Sequence, residues 1–171
     1  MLSSAATVTR REAFVGAMGS VATGVSIVAT DGPAGRFAMT VSAFSSVSAD
    51  PPTILACINR RSPLADAIRR NGVFCVNVLG AGQSDIADRF AGRPRVGAAY
   101  DFGCAAWEIL DTGAPRLVDA AASFDCAFDS AVDQATHIVM FGRVVAVADS
   151  ASQALVYARR TYARPQLVAA E

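Results

Sequence analysis

The chain has 171 residues, 53% of them hydrophobic and 18% charged, with 15 Lys+Arg against 15 Asp+Glu and a formal net charge of zero. That length predicts one domain burying well over half of its unfolded surface, and the lack of positive excess leaves nucleic-acid binding without electrostatic support. A mean hydropathy of +0.36 is high for a soluble monomer, so part of the apolar surface is expected to lie against a second copy in a homodimer.

No apolar run reaches the ~18 residues a membrane span needs. The opening MLSSAATVTRRE lacks the charged-then-apolar layout of a secretory signal. The four cysteines, Cys57, Cys75, Cys104 and Cys126, are scattered without a C-x-x-C. Cys57 and Cys75 sit in apolar strand patterns, and a reduced, cytoplasmic setting is expected. Residues 1–10 read as a flexible N-terminus, 11–165 as the domain and 166–171 as a tail.

Thr9-Arg10-Arg11-Glu12 has the spacing of a capping box. Phe14, Ala17, Met18 and Val21 follow at helical spacing, which predicts a short amphipathic helix ended by Gly24. Val25 to Thr30 reads as a strand and Asp31-Gly32-Pro33-Ala34-Gly35 as a hairpin loop. Phe37 to Asn59 reads as two strands joined by a corner at Asp50-Pro51-Pro52. The first is studded with hydroxyls (Thr40, Ser42, Ser45, Ser46, Ser48), and Thr53 to Ile58 has the near-continuous apolar pattern of a strand buried on both faces.

Ser62-Pro63 predicts a helix start and Asn71-Gly72 its stop, with Arg69 and Arg70 in the last turn. Val73 to Leu79 reads as a strand, Ser84 to Ala91 as a short helix stopped by Gly92, and Arg93 to Asp101 as loop. Trp107 to Leu110 is a short strand followed by a turn at Thr112-Gly113-Ala114-Pro115. Ser123 to Val132 and Thr136 to Ala148 pair as a hairpin. Ser150 to Gln153 repeats the capping-box spacing and predicts a last helix through Tyr162. Six or seven strands with inserted helices, and no regular βαβ alternation, indicate a mainly β, largely antiparallel barrel with peripheral helices.

The strongest candidate site is the junction Asn59-Arg60-Arg61-Ser62, where a helix start, a hydroxyl and two arginines favour an anion. An ordinary capped helix beside solvated arginines has the same sequence. His137, the only histidine, shares a strand face with Val139 and Phe141 and is either a ligand contact or a structural residue. One histidine and dispersed cysteines argue against zinc or copper. Neither a G-x-S-x-G elbow, a Walker loop nor a G-x-G-x-x-G is present.

Several segments in order, MTVSAFSSVSADPPTILACIN (39–59), NGVFCVNVL (71–79), DRFAGR (88–93), AWEILDTGAPRL (106–117), ATHIVMFGRV (135–144) and LVYARRTY (155–162), resemble the short-chain flavin reductases with an FMN-binding split barrel. That family includes reductase components of two-component aromatic monooxygenases, such as the 4-hydroxyphenylacetate 3-monooxygenase reductase, and the cobalt–corrin reductases. The resemblance implies a split antiparallel β-barrel and a homodimer that passes hydride from NADH or NADPH to FMN or FAD. It places Thr40, Val41, Ser42 and Ala43 along the isoalloxazine ring. Ser46, Asn59 and Ser62 fall on the ribityl chain and phosphate, with Ile58 beside them. Phe90, Ala91 and Gly92 would close over the flavin, and His137 would stand near the nicotinamide. Arg160 and Tyr162 supply C-terminal contacts. Ala135-Thr136 stands where the family frequently has Gly-Asp. The implied partner is a flavin-dependent monooxygenase; a corrinoid reductase and a non-enzymatic flavin- or heme-binding carrier are the alternatives.

Overall fold

The computed structural model describes residues 8–166. In chain order the elements are α1 (Arg10–Met18), β1 (Thr23–Gly24), β2 (Ser26–Thr30), β3 (Phe37–Val41), β4 (Phe44–Ala49), β5 (Pro52–Asn59), α2 (Leu64–Asn71), β6 (Val73–Val78), α3 (Ser84–Phe90), a 3₁₀ turn (Phe102–Cys104), β7 (Trp107–Ile109), β8 (Pro115–Leu117), β9 (Ala122–Gln134), β10 (His137–Asp149), β11 (Val156–Ala158) and β12 (Thr161–Ala163). The expected flexible terminus and tail lie largely outside the described residues, although Thr9 and Arg10 already belong to the capped start of α1.

Seven strands form one antiparallel sheet in the order β3-β2-β6-β9-β10-β5-β4. Its two edge strands, β3 and β4, are consecutive in the chain and are joined only by Ser42-Ala43. Two residues span little distance, so the sheet must curl until its edges approach. The Cys57 N–H donates to the Ala43 carbonyl at 2.9 Å, which extends the β4–β5 ladder into that connection. No ladder joins β3 to β4, and the result is an antiparallel barrel split along one side.

The barrel interior holds Val28, Val41, Ile54, Ala56, Ile58, Phe74, Val76, Ile138 and Met140, with Leu64, Ala65 and Ile68 of α2 plugging one end. A second cluster lies outside β2 and β6, where Ile27, Ala29 and Leu79 meet Ala87 and Phe90 of α3, Leu117 of β8 and Leu155. All five residues of β2 are buried because the strand runs between these clusters. Each large side chain fully removed from water contributes about 1.5–3 kcal/mol.

Buried polar groups fasten the β7–β8 hairpin to this sheet. Asn77 is fully buried; its Nδ2 donates to the Ile27 and Pro115 carbonyls, while its Oδ1 accepts from Leu117 N and Ser123 Oγ. Asp125, also fully buried, accepts from the Thr112 backbone N–H at 2.8 Å and from the Thr112 hydroxyl. Such satisfied networks specify one arrangement, since an unpaired buried amide or carboxylate would be costly.

Four expectations change. The stretch 37–59 contains three strands, because the run of hydroxyls breaks at Ser42-Ala43 where the chain crosses between edges. β5 is buried on one face only: Ile54, Ala56 and Ile58 point inward, and their neighbours are half-covered. The first helix stops at Met18, and none of its residues is buried in this copy. The helix expected through Tyr162 is the hairpin β11–β12. Ser150 Oγ accepts from Ser152 N, forming a local turn in place of a cap. The alternation around Leu155 and Tyr157 instead pairs with β1, where tertiary context overrides local signals.

Candidate functional site

The β5–α2 junction is built by local hydrogen bonds that sort its side chains. Pro63 has helical angles (φ −65°, ψ −14°), so Ser62 is the residue flanking the helix, and its Oγ accepts from Leu64 N at 3.2 Å. The Ser62 hydroxyl proton remains available to an acceptor. Asn59 Oδ1 accepts from Arg61 N at 2.9 Å, which leaves the Asn59 amide nitrogen as its donating end. The two arginines separate: Arg60 turns to Asp133 (3.6 Å), whereas Arg61 faces a cavity.

That cavity has a volume of about 490 Å³, within the usual range for small-molecule sites. It lies between β3 (Phe37, Ala38, Met39), the junction (Asn59, Arg61, Ser62, Pro63, Leu64) and the loop after α3 (Tyr100, Phe102), with Arg36 at its rim. Among the described residues, no carboxylate lines it. Donors and cations on one side, and apolar and aromatic faces on the other, suit a phosphorylated ligand carrying a flat ring.

The wall formed by residues 93–102 is held from behind by α3. The Arg89 guanidinium donates to the carbonyls of Ala98 (3.0 Å) and Val96 (2.7 Å) and pairs with Asp101 (3.7 Å). Asp88 accepts from Arg95 Nε at 3.1 Å and from the Tyr162 hydroxyl at 2.7 Å. Burial and this bond to a carboxylate push the Tyr162 phenol above its ordinary pKa. Phe102 packs edge-to-face on Phe90 (5.2 Å between centroids) and against Trp107 (5.0 Å), whose Nε1 donates to the Phe102 carbonyl. The pinned β7–β8 hairpin thereby sets the position of a cavity residue.

Among the sequence candidates, Asn59 and Ser62 line the cavity directly. His137 is exposed and sits opposite Asn59 in the β10–β5 register, its Nδ1 2.9 Å from Thr136 Oγ1. The Thr40 hydroxyl is spent on the Ala87 carbonyl (2.6 Å) and ties β3 to α3. Val41 and Ile58 point into the barrel core, while Ser42 and Ala43 are exposed at the seam.

Ser46 does not reach the cavity; it opens on a separate groove of about 330 Å³ at the other end of β5, with Val47, Phe124 and Val147. Phe90 is fully buried, so its side chain supports Phe102 and cannot itself cover a ligand. Ala91 is half-buried, and Gly92 (φ +74°) leaves room for the Tyr100 ring: a Cβ there would stand 2.6 Å from the Tyr100 hydroxyl. Arg160 is exposed on the β11–β12 turn, and Tyr162 packs edge-on against Tyr157. Arg36, Arg61, Tyr100 and Phe102 went unnamed as cofactor contacts. Of these, Arg61 belongs to the anion-favouring junction read from the sequence, where its place directly before Ser62 and the helix start is the signal.

Residues 18–166 match the family described as flavin reductase like domain. The chain belongs to this flavin reductase family. The FMN reductase (NADH) RutF of Bradyrhizobium diazoefficiens is 46% identical over 147 residues, which cover 85% of this chain and 81% of that one. BorF, the flavin reductase component of a bacterial two-component tryptophan halogenase, superposes with a TM-score of 0.81 at 32% identity, covering 90% of this chain and 97% of its own. The styrene monooxygenase flavin reductase of Pseudomonas putida S12 superposes with a TM-score of 0.79 at 27% identity, covering 91% and 99%. These family members share the split antiparallel barrel. Among the described residues, no helix is long and apolar enough to cross a membrane.

Proposed function

We propose that this chain is an NADH:flavin oxidoreductase that uses FMN and hands the reduced flavin to an oxygenase- or halogenase-type partner. The observation carrying this reading is the cavity at the β5–α2 junction, lined by Arg36, Asn59, Arg61 and Ser62 and by no carboxylate among the described residues, in a member of the flavin reductase family. Asn59, Arg61 and Ser62 would hold the flavin phosphate, with the segment from Met39 through the exposed Ser42 and Ala43 facing the ring. When bound, the flavin supplies a hydride acceptor at N5 for the nicotinamide C4. The chain supplies the rest. Arg61 and the helix start fix the phosphate; Tyr100 and Phe102 screen the cavity from water; His137, opposite Asn59, and Arg160, on its exposed turn, orient the nicotinamide. No side chain has to move a proton for this transfer.

A homodimer is supported by α1, whose Phe14 and Met18 are 65% and 47% exposed in one copy, and by the half-covered outer face of β5. Four free cysteines support a reduced, cytoplasmic setting. The test is steady-state NADH oxidation with added FMN. Turnover dependent on FMN is expected, and none with either FMN or FAD would overturn the reading. His137→Ala should slow NADH turnover while flavin still binds; loss of flavin affinity would remove His137 from the nicotinamide side.

A further inference from the structure

The phosphate of a mononucleotide accounts for one arginine of the cavity, and there are two. Arg36 stands at the start of β3, and its guanidinium lies over the Phe102 ring at 4.2 Å and within 5.8 Å of the Trp107 ring. Its Nε is 3.8 Å from Asp31, an exposed and therefore weak pair. Among the described residues, no protein acceptor takes a hydrogen bond from its terminal nitrogens. The guanidinium is thus seated over aromatic rings while the residue lines the cavity.

We infer that Arg36 is a specificity-determining residue that reads the adenosine diphosphate group of a dinucleotide, its second phosphate above all. This rests on the flavin reductase reading, in which Arg61 and Ser62 hold the first phosphate. Two arginines facing one cavity, with no carboxylate among the described residues lining it, favour an anionic ligand, and Arg36 is the one left over once Arg61 and Ser62 hold the first phosphate. A ligand continuing past its first phosphate would meet Arg36 next, with the exposed Tyr100 ring available to a flat base. The support behind this point is deliberate in its packing: Phe90 and Trp107 brace Phe102, and Phe102 braces Arg36. The same chemical group occurs in FAD and in NADH.

The experiment measures equilibrium binding of FMN, FAD and ADP to the wild-type protein, Arg36→Gln and Arg36→Lys, together with KM for NADH. Arg36 is half-exposed, so unchanged far-UV circular dichroism and melting are expected of both variants. Arg36→Gln should weaken ADP at least fivefold and leave FMN within twofold. A parallel loss of FAD affinity assigns the group to the flavin; a rise in KM for NADH at constant kcat assigns it to the nicotinamide nucleotide. Either outcome supports the subsite. Arg36→Lys keeps the charge but loses the flat face, and should recover only part of the affinity. Equal weakening of FMN and ADP, or unchanged ADP, FAD and NADH, would overturn the inference. Wild-type protein that bound ADP but no flavin would keep the subsite and overturn the reductase reading, so the two failures are separable.

Discussion

Gly92→Ala tests how α3 shapes the cavity wall. Gly92 has φ +74°, where an alanine is strained by about 1–2 kcal/mol, partly offset by the lower entropy of the unfolded chain. The new Cβ would also lie 2.6 Å from the Tyr100 hydroxyl and 3.2 Å from its Cζ. Overpacking costs roughly 1–3 kcal/mol in a closed core, but Tyr100 is 54% exposed and can swing outward, which keeps this share near the lower end. The sum is about 2 kcal/mol, or a fall in Tm of roughly 4–8 °C for a chain of this size. Because Tyr100 leaves the wall, FMN affinity should fall as well. Tyr100→Phe removes the nearest clashing atom. The double variant Gly92→Ala/Tyr100→Phe should therefore recover the steric share, with a coupling of about 0.5–1 kcal/mol in urea unfolding, while the backbone share persists. Strict additivity of the two substitutions would refute the packing argument.

The other predictions follow from single strained, crowded or titrating positions. Arg159 and Arg160 both have positive φ (50° and 62°) in the two-residue β11–β12 turn, so Arg159→Asn/Arg160→Gly should stabilise by about 1 kcal/mol while raising KM for NADH; a lower Tm would contradict this. Gly142→Ala would overlap the Phe74 ring and come within 2.9 Å of Cys126 Cβ, in a core with no space to yield, and should cost roughly 2–3 kcal/mol by denaturant unfolding. Unchanged stability would show that the barrel is looser than its packing implies. The Tyr162 phenol has a raised pKa in the folded chain, so the stability it contributes is complete below the ordinary tyrosine value of about 10 and is lost as pH climbs above it. Tyr162→Phe should flatten that alkaline decline, and an unchanged slope would place its cause elsewhere.

Much of the fold was legible because its signals are local. The capping box at Thr9, the Ser62 start and Gly72 stop of α2, and the β9–β10 hairpin all appear where short-range pattern puts them. The C-terminal hairpin was not legible, because Ser150 to Gln153 mimics a helix start while the residues after it are claimed by β1. In the site, Asn59 and Ser62 could be read from the helix start. Arg36, Tyr100 and Phe102 could not, since they converge only when the loop after α3 is clamped by Asp88 and Arg89 and braced by the β7–β8 hairpin. Asn77 and Asp125, polar residues on strand faces, are the trace this bracing leaves in the sequence.

The most direct test of the phosphate site compares FMN with riboflavin, which has the ring and ribityl chain but no phosphate. Charge-assisted hydrogen bonds from Arg61 and Ser62 contribute about 1.5–3 kcal/mol each, so wild-type protein should bind FMN at least about tenfold more tightly. Arg61→Gln with Ser62→Ala should erase most of that preference and leave riboflavin affinity nearly unchanged. Equal affinity of the wild-type protein for FMN and riboflavin would contradict the account at its base.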